Sequence, residues 1–236
     1  MIETDRLIIR RYLEKDFKDF WEIFSNNNVT QAYGLEAFAK EYDAWDFFKG
    51  KLKKPYDYAV VLKPTMKVIG EFSVSDAMFH SNKEGRLKEI SFLENEKYQR
   101  KGYMTECGLG MIKFLFEKEN VLAVYSRAFA TNNPSLKFSK KCGMKEISTH
   151  KEFVGRGVSE IVTCEITREE FQNNSIYDEV RYSIYDYEID ENSFVKDSIE
   201  RRLKRKRQED NKKLLSEVEE LLKSGKKEEI FLDKNF

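Results

Sequence analysis

The chain has 236 residues and a mass of 28.0 kDa, enough for one domain with a sizeable core or a domain with an appendage. Lys and Arg number 42 and Asp and Glu 42, a formal charge of zero that excludes a surface given over wholly to nucleic acid or membrane. Aromatic residues at 14% supply a core despite a charged fraction of 36%, which excludes generic disorder, while 3 Pro and 11 Gly argue against a turn-rich sandwich. In chain order, Leu7 to Tyr12 reads as a strand. A helix follows from the Leu13 to Asp16 entry, with Phe17, Phe20, Trp21 and Phe24 at helical spacing, and stops at Ser25 to Asn28. A second amphipathic helix is expected over Ala37 to Lys53, with Phe38, Tyr42, Trp45 and Phe48 on one core-facing stripe.

Tyr58 to Leu62 and Val68 to Val74 flank Lys63-Pro64-Thr65 and predict an antiparallel hairpin. A polar loop around Ser81 to Arg86 leads to a strand over Lys88 to Leu93. An apolar helix over Met104 to Lys118 and a strand over Val121 to Phe129 come next. Pro134 opens a helix running to Lys141 and closed by Gly143. Met144 to Phe153 and Val158 to Ile166 flank Gly155-Arg156-Gly157, a hairpin signal, and Thr167 to Glu170 has capping-box spacing. Hairpins in the middle and at the end, with a helical crossover between, imply an α/β chain with a mixed sheet flanked by helices.

The opening Met1 to Arg6 lacks the basic and apolar runs of a secretory leader, and no stretch approaches the ~18 apolar residues of a membrane span. Cys107, Cys142 and Cys164 are odd in number and widely spaced, which fits a reducing compartment and no structural metal. With only His80 and His150 in the chain, a Cys-His nucleophile is not expected. The expectation is a soluble, cytoplasmic protein.

The most informative segment runs from Glu94 to Glu106. A strand ends, a short basic loop carries Arg100, Lys101 and Gly102, and a helix starts. Helix-start amides attract phosphate, and a glycine lets the backbone approach it. Taken alone, such a junction is more often a plain turn. About thirty residues on stands Asn132-Asn133-Pro134-Ser135, running to Lys141-Cys142-Gly143-Met144.

Together these segments resemble the GNAT acetyltransferase superfamily. Gln99, Gly102 and Met104 occupy the places of its Gln/Arg-x-x-Gly-x-Gly/Ala loop, and Asn132 and Ser135 open its Asn-x-x-Ser segment. Thr4-Asp5-Arg6-Leu7-Ile8-Ile9-Arg10 looks like the start of the branch that acetylates ribosomal-protein N-termini. The resemblance covers residues 1–171, leaving 172–236 as a C-terminal extension. It implies a central, mostly antiparallel sheet with the strands at 88–93 and 121–129 splayed apart. It also implies acetyl-CoA as cosubstrate without a metal, bound by Phe92, Leu93, Gln99, Arg100, Lys101, Gly102, Tyr103, Met104, Thr105, Asn132 and Ser135. The family usually has Gly or Ala where Met104 stands, so the direction of the Met104 side chain decides whether the loop has room for a diphosphate.

Acetyl transfer needs a neutral amine, and α-amino groups and lysines titrate near ~8 and ~10.4, so deprotonation matters more for lysine, and a carboxylate acting through a water is the usual means. Relatives often carry a glutamate at the place of Glu89, which makes it the first candidate, with Glu71 on the neighbouring strand the second; either could instead be a solvated strand carboxylate. A backbone N–H on the strand 89–93 would polarise the carbonyl. Many relatives place a tyrosine acid where this chain has Ser139, so Ser135 is the replacement candidate, against a plain first-turn role. Asn132 either touches the pantetheine arm or caps its helix.

In the extension, Ile176 to Ile189 alternates aromatic and acidic residues (Tyr177, Tyr182, Tyr185, Tyr187), as an added strand or docking segment would. A long helix is expected over Ser193 to Lys223, stopped by Gly225, with a thin stripe of Ile199, Leu203, Leu214, Val218 and Leu221. Its middle, 201–213, is strongly basic: a solvated face, a contact with RNA or an acidic partner, or a helix that pairs in a homodimer. The function expected is acetyl transfer to a primary amine, either a protein N-terminus or a small molecule. The alternative is a catalytically weak acyl-CoA-binding protein whose basic helix engages RNA or the ribosome.

Overall fold

The computed structural model describes residues 2–77, 86–154, 157–184 and 193–223, with backbone alone for 193–198 and 221–222. The expected loop at 81–85, His80, the turn residues Gly155 and Arg156, Tyr185, Tyr187, the Leu221 side chain and Gly225 lie outside the described residues.

The strands are β1 (Ile2–Glu3), β2 (Leu7–Arg11), β3 (Asp57–Leu62), β4 (Lys67–Asp76), β5 (Leu87–Glu94), β6 (Ala123–Phe129), β7 (Lys145–Val154), β8 (Gly157–Thr167) and β9 (Ser183–Ile184). They form one sheet in the order β7-β8-β6-β5-β4-β3-β2-β1-β9. Every neighbouring pair is antiparallel except β5 and β6, which run parallel with α4 (Tyr103–Glu117) as their crossover. Helix α5 (Asn133–Lys141) joins β6 to β7.

Strand alternation sorts the core into two layers. Val60, Phe72, Ile90 and Val124 face α4 and α5, packing on Cys107, Met111, Leu115 and Phe138. Ala59, Val61 and Leu93 face the other way, onto Phe17, Phe20 and Phe24 of α1 (Phe17–Phe24) and Trp45 and Phe48 of α3 (Glu41–Lys53). Stacked and edge-on rings, such as Phe20 on Phe24 at 4.1 Å, fill this second layer. The entry to α1 is held by Asp16, whose carboxylate accepts from the Leu13 amide and from both terminal nitrogens of Arg10.

Helix α3 begins at Glu41, later than the aromatic stripe suggests, because the Phe38 amide is tied to the Phe24 carbonyl and Lys40 is extended. The stop after Phe24 is followed at once by the single turn α2 (Asn27–Thr30), capped by Asn26, a turn too short to leave a periodic signature. The Thr167 and Glu170 capping box is present and opens α6 (Arg168–Gln172).

Residues beyond 171 are knitted into both layers. The Tyr177 hydroxyl donates to the Cys142 carbonyl and its ring packs on Phe171. β9 adds an edge strand beside β1. Helix α7 (Ser193–Lys223) lies on α3 through the buried Leu203, with Arg202 on Glu41 and Arg207 on Asp46.

Candidate active site where strands β5 and β6 part

β5 and β6 are paired from Leu87 with Ala123 to Ile90 with Ser126, and no further, although both strands continue. Beyond that point Ser91–Glu94 stay bonded to β4, while Arg127–Phe129 stay bonded to β8. The outer neighbours thus hold the two strands apart. The gap opens a cleft of 930 Å³ whose walls carry Glu89, Ser91, Phe92 and Leu93 from one bank and Arg127, Ala128 and Phe129 from the other. Past Ile90 the β5 edge presents backbone groups to the gap instead of to a strand.

On the α4 side, the Asn95 side chain caps the turn after β5 and Gln99 Nε2 donates to the Glu94 carbonyl. Arg100 takes φ of 64° and Gly102 φ of 79°, the left-handed region that only glycine enters without strain. α4 then starts with no side-chain cap, so its first-turn amides lack an intramolecular partner of that kind. A short N-terminal brace steadies this turn. Glu106 accepts from the Thr4 hydroxyl at 2.6 Å, the Arg6 amide at 2.8 Å and Arg6 Nε at 2.5 Å, while Arg6 also donates to the Lys101 carbonyl and lies over the Tyr103 ring.

Phe92, Leu93, Gln99, Arg100, Gly102, Met104, Thr105, Asn132 and Ser135 all line the cleft, as does Glu89. Two expected cofactor contacts do not: Lys101 turns back to the Lys97 carbonyl and Tyr103 is occupied by Arg6. Met104 is 4% exposed and packs in the core, its terminal methyl against Gly70, so the side chain leaves the loop amides uncovered. Asn132 caps α5 through the Ser135 amide, and its Nδ2 donates to the Ala32 carbonyl on the segment that follows α2. Ser139 is buried, hydrogen-bonded to Ser126 and to the Ser135 carbonyl.

The opposite end of the cleft is walled by that segment. Tyr33 bonds Ser91 at 2.7 Å on the β5 bank, Asn132 holds Ala32 on the other, and Gly34 sits against Phe129 and Val154. The residues after α2 therefore form a strap across the gap. Glu89 is half-buried here. Burial pushes its carboxyl above the usual range, Arg127 pulls it down and Glu152 pushes it up again. Arg127 is ion-paired with Glu152, which also meets His150 at 2.6 Å.

Glu71 does not line the cleft and is not the solvated carboxylate the sequence allowed. It is 1% exposed and bonded to Lys51 Nζ at 2.7 Å, with Asp57 on the same ammonium at 3.0 Å. The thiols of Cys107, Cys142 and Cys164 are free and buried, and burial raises each above its ordinary value. Sequence reasoning missed Tyr33, Glu94, Arg127, Lys137 and Lys141 as wall residues. Lys137 and Lys141, one turn apart on the helix that Asn132 caps, carried a legible signal. Tyr33 carried none, because nothing local says which strand the segment after α1 will meet.

The donor set fits acetyl-CoA: uncapped helix amides, a glycine beside them, and Arg100, Lys137 and Lys141 along one wall would suit its phosphates. Among the described residues no group of metal-ligating side chains occurs, and no helix is long and apolar enough to cross a membrane.

The chain is similar to known proteins in sequence and, separately, in shape. The chain is 29% identical over 157 residues to the uncharacterized N-acetyltransferase YnaD of Bacillus subtilis, covering 66% of this chain and 89% of that one. A GNAT-family acetyltransferase structure from Bacillus anthracis superposes with a TM-score of 0.64 at 22% identity, over 71% of this chain and 98% of that one. Spermidine N-acetyltransferase from Vibrio cholerae, solved with CoA and spermine, superposes with a TM-score of 0.59 at 14% identity, over 71% and 99%. At these identities the two structures establish the fold. The family model described as acetyltransferase (GNAT) domain matches residues 6–145, and with the parted strands and the glycine-bearing loop inside that span, the chain belongs to the GNAT acetyltransferase family.

Proposed function

We propose that this chain transfers the acetyl group of acetyl-CoA to a primary amine by direct attack on the thioester, with Glu89 as the base. The observation that carries this reading is the two-ended cleft: uncapped α4 amides and cations at one end, a half-buried carboxylate under the strap at the other. Binding of CoA by the Vibrio cholerae relative supports acetyl-CoA as the cosubstrate. Its diphosphate would rest on the amides of Gly102, Tyr103, Met104 and Thr105, with Gln99 and Arg100 beside it. The side chains of Lys101 and Tyr103 would hold the loop, leaving contact with the cosubstrate at Tyr103 to its backbone amide.

The pantetheine arm would run along Phe92 and Leu93, whose unpaired edge can replace a strand with the arm's amides. One of those N–H groups would polarise the thioester carbonyl. The amine enters beneath the strap and loses its proton to Glu89, directly or through one water. A carboxyl raised above its usual range is a better match for an ammonium of pKa ~8 than an exposed glutamate. The departing thiolate needs little help, and the Ser135 hydroxyl on the α5 wall is the donor at hand. Arg127 beside Glu89 and Glu152 makes the acceptor end mixed in charge, whereas a polycation wants an acidic trough. A protein or peptide N-terminus is therefore favoured over a polyamine.

Release of free CoA thiol, followed with acetyl-CoA and a panel of N-terminal peptides, polyamines and aminoglycosides, tests the reading. Turnover with peptide amines is expected. Binding of acetyl-CoA without turnover on any amine would overturn it.

A further inference from the structure

Glu94 ends β5 with the same parity as Ile90 and Phe92, so it belongs to the face turned toward α4 and α5. It lines the cosubstrate end of the cleft, where the wall is otherwise cationic or neutral. Its Oε1 is shielded from solvent and has no hydrogen-bond partner, and Gln99 bonds its main-chain oxygen, not its carboxylate. The neighbouring strand offers no side chain, since Glu94 pairs with Gly70. The charged or titratable groups around it are Lys101 from the loop and Cys107 from α4, with Arg100, Lys137 and Lys141 on the same cleft. Burial pushes the Glu94 carboxyl up to about 7, against the pull of Lys101.

A carboxylate at this place stands beside the amides that an anionic cosubstrate needs. Two anions sharing one poorly hydrated site repel, and the cheaper outcome is protonation of the weaker acid. We propose that Glu94 is a further cosubstrate-binding residue that enters the acetyl-CoA complex protonated, donating its O–H to an oxygen of the bound molecule, so that binding takes up one proton from solvent. The inference rests on the acetyl-CoA reading above. The proton balance is simple: free protein with ionised Glu94, acetyl-CoA and one proton give the complex with neutral Glu94.

Calorimetric titration of acetyl-CoA into the full chain, at pH 6 to 9 in buffers of different ionisation enthalpy, reads the proton count directly. The wild type should take up close to one proton near pH 8, and its Kd should rise by up to about tenfold per pH unit above neutrality. Glu94→Gln keeps a donor of the same shape and should show an uptake smaller by nearly one proton, with a correspondingly shallower slope. Titration of the acetyl-CoA phosphates is common to both proteins and cancels. Equal proton counts in the two proteins would overturn the inference, whereas absence of acetyl-CoA binding by either would overturn the cosubstrate reading on which it rests. Should the variant not fold, the ¹³C carboxyl resonance of Glu94 in the wild type decides. It should report a neutral group in the complex at pH 8, and an ionised group there would refute the proposal.

Discussion

Glu89 and Glu71 share one face of the sheet, yet burial gives them different chemistry. Glu89 has the cleft in front of it, whereas Glu71 is sealed under α3 with Lys51 and Asp57. Replacing Glu89 with Gln should lower kcat by ~10²–10⁴ and leave the Kd for acetyl-CoA unchanged, as stopped-flow and equilibrium binding would read. As the proposed base, Glu89 would work only when ionised, and its pKa is raised, so the rate should climb with pH later than an exposed glutamate would allow. Arg127→Gln removes the cation that lowers that pKa, and should move this acidic limb of the kcat/KM profile to still higher pH. At the buried cluster the readout is stability. Lys51→Met leaves two carboxylates without their cation and should cost ~3–5 kcal/mol in urea unfolding, with the cleft untouched. Met104 shows the limit of motif reading. The loop pattern marks it as a departure, but the space that accepts it is made by Gly70, more than thirty residues away, where a Cβ would strike the Leu93 carbonyl and the Met104 methyl. No local pattern links those two positions.

The elements show why a loop resembling a family motif works only when something outside it holds it. The first turn of α4 is steadied by the opening segment through Thr4, Arg6 and Glu106. Glu106→Ala removes the acceptor of all three bonds, and the Kd for acetyl-CoA should rise by ~10-fold with little change in global stability, measurable by calorimetry and thermal unfolding. Elements with strong periodicity were legible: the hairpin of β3 and β4, the crossover helix α4, and α5 between its Asn132 cap and Gly143 follow from alternation, helical spacing and cap chemistry. The strap after α2 was not, because its shape is set by bonds to Ser91, Asn132 and Phe24, all remote in sequence or on other elements.

Over the whole molecule, the neutral total charge is an average of an acidic remainder and a basic helix that meet each other. Arg202 and Lys206 reach Glu41, and Arg207 reaches Asp43 and Asp46, so part of the cationic run has its acidic partner within the chain. These are surface pairs, each worth up to ~1 kcal/mol and screened by salt. The anchor is Leu203, buried among the aromatic residues of the α1 and α3 layer. Leu203→Ala should therefore destabilise the protein by ~2–4 kcal/mol and Arg207→Ala by less than ~1, compared by urea unfolding.

By itself the sequence determined the mixed α/β sheet, the loop that opens α4, the family that loop belongs to, and Glu89 as a cleft residue. The sheet and the loop are written in short-range periodicity, caps and spacing, whereas the family and Glu89 came from the resemblance of the loop and the Asn132 to Ser135 segment to known acetyltransferases. Only the tertiary structure decided that Met104 turns into the core, that Glu71 is spent on Lys51, that the strap spans the cleft beside Ser91 and that the Glu94 Oε1 stands unpartnered beside the loop. These depend on which distant surfaces meet when the sheet assembles, and burial, which sets their chemistry, is a property of that assembly and not of any stretch of chain.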